Sequence, residues 1–353
     1  MLRINSRLET KEFSYDLPAE LIAQEPLTPR DSSRLLVLGR HSGEIGDSTF
    51  LRFTDYLQAG DLLVLNNTRV YPARLPGRRK KSGGKVELLL LRRMEEAVWE
   101  VLCSPGRRAL PGEILEFGDG LLEAEVLEKT AAGGRTVLFN STAGSPEILL
   151  SRLGQTPLPP YIKKKLDDAE RYQTVYAARE GSAAAPTAGL HFTPSVFERL
   201  QARGIKWVFL TLHIGVGTFR PVKEKYIEQH IMHSEHYELS SAAAEKINRT
   251  REKGKRIVAV GTTCCRVLET LSFGDEGDRL RVREGSGETN LFIYPGYDFK
   301  IVDALLTNFH LPCSTLLMLV CAFAGKENTL KAYRKAVEKR YRFYSFGDAM
   351  LII

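Results

Sequence analysis

Six of the seven histidines, His191, His213, His230, His233, His236 and His310, fall between residues 191 and 310. Imidazole titrates near neutral pH, so this concentration suits acid–base catalysis or metal binding. The tightest cluster is His230-Ile-Met-His233-Ser-Glu235-His236. Its spacing matches no zincin pattern, in which two histidines one helical turn apart share a face. If 232–239 forms a strand, His233 and Glu235 share one face and His236 points the other way. A His beside a Glu suits general acid–base work, each tuning the other's proton affinity. A surface ion pair is the alternative reading of the same spacing.

Such groups must be brought together by elements far apart in the chain. In parallel α/β sheets, ligands bind beyond the carboxyl ends of the strands. Three apolar runs that read as strands end in reactive residue types. KWVFLTLH (206–213) ends at His213 and continues into Gly215-Val216-Gly217-Thr218. RIVAV (256–260) ends at Gly261-Thr262-Thr263, which opens a helix, and IVDALLT (301–307) ends at Asn308, Phe309 and His310. Together they would place two histidines, an amide, two hydroxyls and a helix N-terminus around one crevice. The helix start can hold an anion through its backbone N–H groups. No Walker loop is present, because no Gly-Lys-Thr/Ser follows Gly261. Nor is there a dinucleotide fingerprint, because Arg220 stands where the third glycine would be.

The periodicity predicts helices over 194–203, with Thr193 as N-cap and proline at the first helical position, and over 240–253, 262–271, 314–324 and 326–341. Strands alternating with helices predict an α/β core with a mainly parallel sheet or a barrel-like variant. Residues 73–155 differ: they hold eleven of the 29 glycines and no histidine. Short β-rich runs at 86–93, 98–103, 113–117, 121–127 and 135–139 are separated by pairs such as Gly83-Gly84 and Pro111-Gly112. That punctuation predicts a small all-β barrel inserted between 1–72 and 156–353 of the α/β domain.

The 353 residues are 43% hydrophobic and 26% charged, an ordinary folded composition sufficient for about two domains. The five cysteines, Cys103, Cys264, Cys265, Cys313 and Cys321, include no CxxC pair, so no disulfide framework, zinc site or iron–sulfur cluster is expected. No apolar run reaches the ~18 residues of a membrane span. No secretory leader is legible, so a cytoplasmic protein without a membrane partner is expected. The net charge of +7 favours a polyanionic partner. Residues 78–93 carry Arg78, Arg79, Lys80, Lys81, Lys85, Arg92 and Arg93 against the single acid Glu87, and 326–342 carry seven bases against Glu327 and Glu338. Such segments can track phosphates, with a solvated face as the alternative.

Longer motifs carry a specific likeness. PRDSSRLLVL (29–38), DLLVLNNTRVYPARL (61–75), PTAGLHFT (186–193), HIGVGTFRPV (213–222), HIMHSEHYEL (230–239), GTTCCRVLE (261–269), TNFHLPCSTLLMLVCAFAG (307–325) and RFYSFGDAMLI (342–352) occur in consistent order. The chain resembles the S-adenosylmethionine:tRNA ribosyltransferase-isomerases of bacterial queuosine biosynthesis. The likeness runs from about residue 13 to the C-terminus. It departs at Cys264-Cys265, where other members often carry small or β-branched residues, which argues against a catalytic thiol.

The resemblance implies an α/β domain with an inserted β-barrel module. It also implies transfer of the ribosyl group of S-adenosylmethionine to a 7-aminomethyl-7-deazaguanine of the tRNA anticodon arm. The group is rearranged to an epoxycyclopentane, giving epoxyqueuosine-tRNA with release of adenine and methionine. No separate cofactor or metal is implied, since the sulfonium nucleoside is consumed, and a monomer is expected. The sulfonium acidifies its 5′-carbon, adenine leaves well only when a ring nitrogen is protonated or hydrogen-bonded, and the cationic aminomethyl group must lose a proton before attack. The candidate acid–base pool is therefore His191, His213, His233, Glu235 and His310, with Glu235 or His233 as first choice of base. Arg34, Gly261, Thr262, Thr263 and Asn308 are candidates for S-adenosylmethionine, Arg34 and Arg69 orienting phosphate or carboxylate groups, with a structural ion pair as the alternative reading of these two arginines. Arg78, Arg79, Lys80, Lys81 and Lys85 are candidates for RNA. A non-catalytic RNA-binding protein and a metal-dependent hydrolase built on 230–236 stay open as competing readings.

Overall fold

The computed structural model describes residues 7–130, 133–215, 222–274 and 280–353. Of the candidate features, Gly217, Thr218 and Arg220 lie outside them. The chain divides into two units, one of Met1–Arg69, Pro159–Arg179 and Ala185–Ile353, the other of Val70–Leu158 and Glu180–Ala184. The insertion expected over 73–155 thus gains a few residues at each end, and Glu180–Ala184 joins it from farther along the chain.

The first unit is an α/β core. Its nine-stranded sheet runs in the order Gly285–Thr289, Glu235–Leu239, Lys206–Leu212, Leu62–Asn66, Ile257–Val260, Ala304–Asn308, Ala349–Ile352, Arg34–Leu38 and Ile45–Thr49. The four central strands, from Lys206–Leu212 to Ala304–Asn308, are mutually parallel. Leu62–Asn66, Ile257–Val260 and Ala304–Asn308 are buried at every position. That is why they read as continuous apolar runs rather than alternating ones: a parallel sheet is covered on both faces. Toward the edges the pairing turns antiparallel, at Ala304–Asn308 with Ala349–Ile352 and at Lys206–Leu212 with Glu235–Leu239. The sheet is thus mixed and open, with a parallel centre.

Local chemistry starts the helices where the sequence places them. Thr193, Ser240 and Ser314 each accept a hydrogen bond from the backbone N–H three residues on, capping Pro194–Ala202, Ser241–Glu252 and Thr315–Ala324. Thr262–Thr270 follows Ile257–Val260 directly and is buried along almost its whole length. The helix expected over 326–341 stops at Glu338, and Arg340 takes a left-handed φ of 54°. Leu35, Leu63, Leu65, Val258, Val260 and Leu306 form one face of the core. Phe50, Phe53, Phe192 and Leu200 pack against them.

The second unit contains a closed barrel of six strands, Arg135–Ser141, Val98–Ser104, Lys85–Glu95, Arg74–Arg79, Ile114–Phe117 and Leu122–Lys129, paired antiparallel. Five of these match the β-rich runs of the sequence; Arg74–Arg79, which holds Pro76 and Gly77, has no counterpart among them. Gly77 is needed there for packing. A Cβ at Gly77 would sit 2.4 Å from Phe117 Cδ1 and 2.6 Å from the Glu116 carbonyl. Only glycine lets this strand lie against its neighbour with the Phe117 ring in the barrel interior.

Candidate active site

The carboxyl ends of the parallel strands border a cleft in the α/β unit. Ile214 comes from beyond Lys206–Leu212, Gly261, Thr262 and Thr263 from beyond Ile257–Val260, and Thr307 to Leu311 from the end of Ala304–Asn308. Asn66 ties these ends together. Fully buried, it donates to the Leu212 carbonyl at 3.0 Å and to Thr263 Oγ1 at 3.4 Å, and accepts from the Leu212 and Thr68 N–H groups at 3.1 Å. Gly261 opens the following helix at φ 93°, a conformation that glycine adopts without strain. The first turn of Thr262–Thr270 therefore begins at the cleft wall, where a helix N-terminus favours negative charge.

The candidate histidines divide. His310 lines the cleft, with Nε2 2.7 Å from Thr307 Oγ1 and its backbone N–H donating to the Tyr333 hydroxyl at 3.1 Å. Burial pushes its pKa down to about 3, so the ring is neutral at pH 7. His191 does not line the cleft. It lies behind Asn308, with Nδ1 2.8 Å from Ser33 Oγ, Nε2 3.2 Å from Asn308 Nδ2, and its ring stacked 5.0 Å from Phe50. Burial first, then the Arg342 and Arg30 guanidiniums, hold its pKa down at about 3. His213 follows the end of its strand and is not among the residues that line the cleft, its Nδ1 2.8 Å from Thr68 Oγ1 and its ring 6.1 Å from that of exposed His236. Burial and the nearby His236 lower its pKa.

The expected His233–Glu235 pair does not form as drawn. The strand begins at Glu235, and His233 precedes it, exposed. Glu235 is 4% exposed and turned inward, where Oε2 pairs with the Arg266 guanidinium and Oε1 accepts the Gly215 N–H at 3.0 Å. Arg266, also buried, donates to the Leu291 and Thr289 carbonyls as well. A carboxylate so engaged anchors a helix to a strand. Neither His233 nor Glu235 borders the cleft.

Arg34 is likewise committed elsewhere: it donates to the Lys339 carbonyl at 2.7 Å and stacks 3.6 Å from the Tyr341 ring centroid. Arg69 pairs with Glu170. His230 pairs with Glu224 at 3.1 Å, and among the described residues no three His, Cys, Asp or Glu side chains are grouped to hold a metal ion. Cys264 and Cys265 are buried and their thiols pushed well up in pKa by desolvation, which keeps them protonated.

On the barrel, three of the five candidate RNA-binding bases have acidic partners. Arg78 pairs with Glu116, Arg79 makes a bidentate contact with Glu113 at 2.9 and 3.1 Å, and Lys80 pairs with Glu123. Lys81 and Lys85 are exposed and make no salt bridge within 4 Å among the described residues, although Lys81 is near enough to Glu113 to help lower its pKa.

Several cleft residues carry no signal that singles them out in the sequence. Pro186, Thr187 and Ala188 form one wall, and Tyr161, Tyr344 and Ser345 another. The Tyr161 and Tyr344 rings lie 4.7 Å apart, and the Tyr161 hydroxyl is 2.7 Å from Ser345 Oγ. Burial pushes the Tyr161 phenol up to about 12, so it is un-ionised. All but Tyr161 fall inside the motifs PTAGLHFT and RFYSFGDAMLI, whose length is the one signal that could have found them. One further atom stands out: Asn308 Oδ1 is buried and has no hydrogen-bond partner. Left so, it costs about 1–3 kcal/mol.

A mixed α/β sheet with an inserted barrel, and a cleft with a helix N-terminus, an amide and a neutral imidazole at its strand ends, describe a ligand-binding enzyme core. Residues 10–352 match the family model for queuosine biosynthesis proteins. The chain is 58% identical over 346 residues to an S-adenosylmethionine:tRNA ribosyltransferase-isomerase of Thermoanaerobacter sp. (strain X514), covering 98% of this chain and 100% of that one. A protein of the same name from Acetivibrio thermocellus is 56% identical over 345 residues, again covering 98% and 100%. The crystal structure of an S-adenosylmethionine tRNA ribosyltransferase from Thermotoga maritima, 41% identical, matches with a TM-score of 0.55 over 97% of this chain and 100% of that one. The chain belongs to the S-adenosylmethionine:tRNA ribosyltransferase-isomerase family of queuosine biosynthesis.

Proposed function

We propose that this chain transfers the ribosyl group of S-adenosylmethionine to the aminomethyl group of 7-aminomethyl-7-deazaguanine in the tRNA anticodon arm. It then isomerises that group to the epoxycyclopentane of epoxyqueuosine, with adenine and methionine as the other products. The observation that carries this reading is the meeting of an anion-binding helix start, an amide and a neutral imidazole in one cleft of a chain matched to the family over residues 10–352.

The cleft offers each part of the sulfonium nucleoside a complement. The N–H groups opening Thr262–Thr270, beside the Thr262 and Thr263 hydroxyls, suit the methionine carboxylate. Pro186, Ala188 and the Tyr161–Tyr344 pair supply flat or apolar walls for the nucleoside. His310 is the acid–base candidate that lines the cleft. A neutral imidazole does not repel the sulfonium. On the barrel, Lys81 and Lys85 are free to meet phosphates, while Arg78, Arg79 and Lys80 must first exchange an acid for one. A tRNA substrate supports a cytoplasmic location.

The test is incubation with S-adenosylmethionine and tRNA carrying the aminomethyl base, followed by adenine assay and nucleoside mass analysis. Adenine release that depends on the modified tRNA is expected, with the epoxyqueuosine nucleoside as product. No adenine with that substrate overturns the reading. His310→Ala is expected to lower kcat by roughly 10²-fold or more.

A further inference from the structure

Hydrogen-bond logic at the back of the cleft assigns His191 a task. Asn308 Nδ2 lies 3.1 Å from the Tyr344 carbonyl. A carbonyl only accepts, so the atom facing it must be the amide nitrogen, and the orientation of Asn308 is settled. The same nitrogen lies 3.2 Å from His191 Nε2. Nε2 must therefore accept, which leaves the single ring proton on Nδ1, 2.8 Å from Ser33 Oγ. The other groups around the imidazole favour this state. The Phe50 ring covers one face, and the charges nearby, on Arg30 and Arg342, are both positive. Asn308 is among the residues that border the cleft, and the remaining acceptor of the amide so held, Oδ1, is buried just beneath that surface and has no partner.

We infer that His191 carries no proton in the reaction but is a positioning residue: Ser33, His191 and the Tyr344 carbonyl fix the Asn308 amide so that Oδ1 receives one N–H or O–H donor of the bound nucleoside. The inference rests on the ribosyl-transfer reading for the identity of that nucleoside. Its donors are the ribose hydroxyls, the adenine amino group and the α-ammonium group. All share the chemistry that a lone carbonyl oxygen recognises. An imidazolium at this position would direct a second N–H at the amide nitrogen, break the contact and release the amide to rotate. The neutral ring is thus required for recognition rather than for proton transfer.

Two measurements test the inference. In the unliganded full-length protein, ¹⁵N NMR of the imidazoles is expected to show His191 protonated at Nδ1 and bare at Nε2, unchanged from pH 8 to pH 6. An Nε2–H tautomer, or an imidazolium at pH 6, overturns the proposal whatever the protein catalyses. In the adenine-release assay, His191→Phe keeps a flat ring but removes the acceptor, and is expected to raise KM for S-adenosylmethionine by roughly five- to tenfold with kcat changed less. His191→Gln can accept from Asn308 and donate to Ser33, and is expected to restore KM. A loss of kcat in His191→Gln equal to that in His191→Phe, with a lost limb of the kcat–pH profile, makes His191 a proton carrier and overturns the proposal. Analogues lacking the 2′-hydroxyl, the 3′-hydroxyl, the 6-amino group or the α-amino group identify the donor. The one read by Asn308 is discriminated by the wild type and not by His191→Phe. If no analogue loses discrimination, Oδ1 reads nothing and the proposal fails. Should His191→Phe not fold, the wild-type tautomer and the His191→Gln kinetics still decide. A wild type that releases no adenine defeats the ribosyl-transfer reading instead, a result separable from any of these.

Discussion

Glu235 shows how residue type and residue role come apart. Its carboxylate has the chemistry of a base, but it is buried against Arg266 and the Gly215 N–H, away from the cleft. Removing one partner of such a pair leaves an uncompensated buried charge, which costs about 3–5 kcal/mol, whereas replacing both by apolar groups is often near neutral. Arg266→Met is therefore expected to lower the urea midpoint sharply, and Arg266→Met with Glu235→Leu to recover much of the loss. Additive losses in the pair would show that the two residues act separately. The alternation that pairs His233 with Glu235 depends on where the strand begins. A start at Glu235 leaves His233 exposed. His191 teaches the converse. Nothing in the run PTAGLHFT distinguishes it from a catalytic imidazole, and only its donors and acceptors reveal a ring that holds another side chain still.

At the scale of elements, the ends of the parallel strands do the gathering. Leu62–Asn66 ends at Asn66, whose one amide reaches the end of Lys206–Leu212 and the start of Thr262–Thr270. Of the three apolar strand runs, Ile257–Val260 and Ala304–Asn308 are legible because full burial on both faces leaves a continuous signature, and Lys206–Leu212 is legible although its first half is only partly buried. Leu62–Asn66 and Arg34–Leu38 stand out only as parts of longer motifs, although they carry much the same signature. The barrel is legible from its turns, since Gly-rich pairs punctuate it, and its one missed strand hides a glycine that serves packing. Charge is less legible than shape. A run of bases in sequence does not show that Glu113, Glu116 and Glu123 arrive from neighbouring strands to meet Arg79, Arg78 and Lys80. Replacement of Lys81 and Lys85 by alanine is thus expected to weaken tRNA binding. It should also reduce the slope of log K against log salt by about one for each phosphate that these side chains neutralise. Arg78→Ala with Arg79→Ala should change the slope less. Equal effects would mean the acidic partners give way to phosphate.

For the whole molecule, the two buried imidazoles set a direction for stability against pH. His191 and His310 bind protons with pKa near 3 when folded, against an ordinary value of 6.5. Between those values the unfolded chain holds protons that the folded chain cannot, so unfolding is favoured as pH falls. Their contribution is fully present above about pH 6.5 and is lost progressively toward pH 3. Urea unfolding from pH 7.5 to pH 5 is expected to show falling stability with protons taken up, His213 adding to the uptake of the two buried rings, and His191→Gln to remove part of it. A flat profile over that interval would show that these rings are not neutral in the folded protein. What the residues alone determined was local or periodic: the alternation of strand and helix, the capped helix starts, the glycine-marked barrel and the motifs that identify the family. Tertiary structure alone decided which of those residues meet. Burial, ion pairing and the direction of a hydrogen bond depend on neighbours that lie far away in the chain, and no spacing within one segment encodes them.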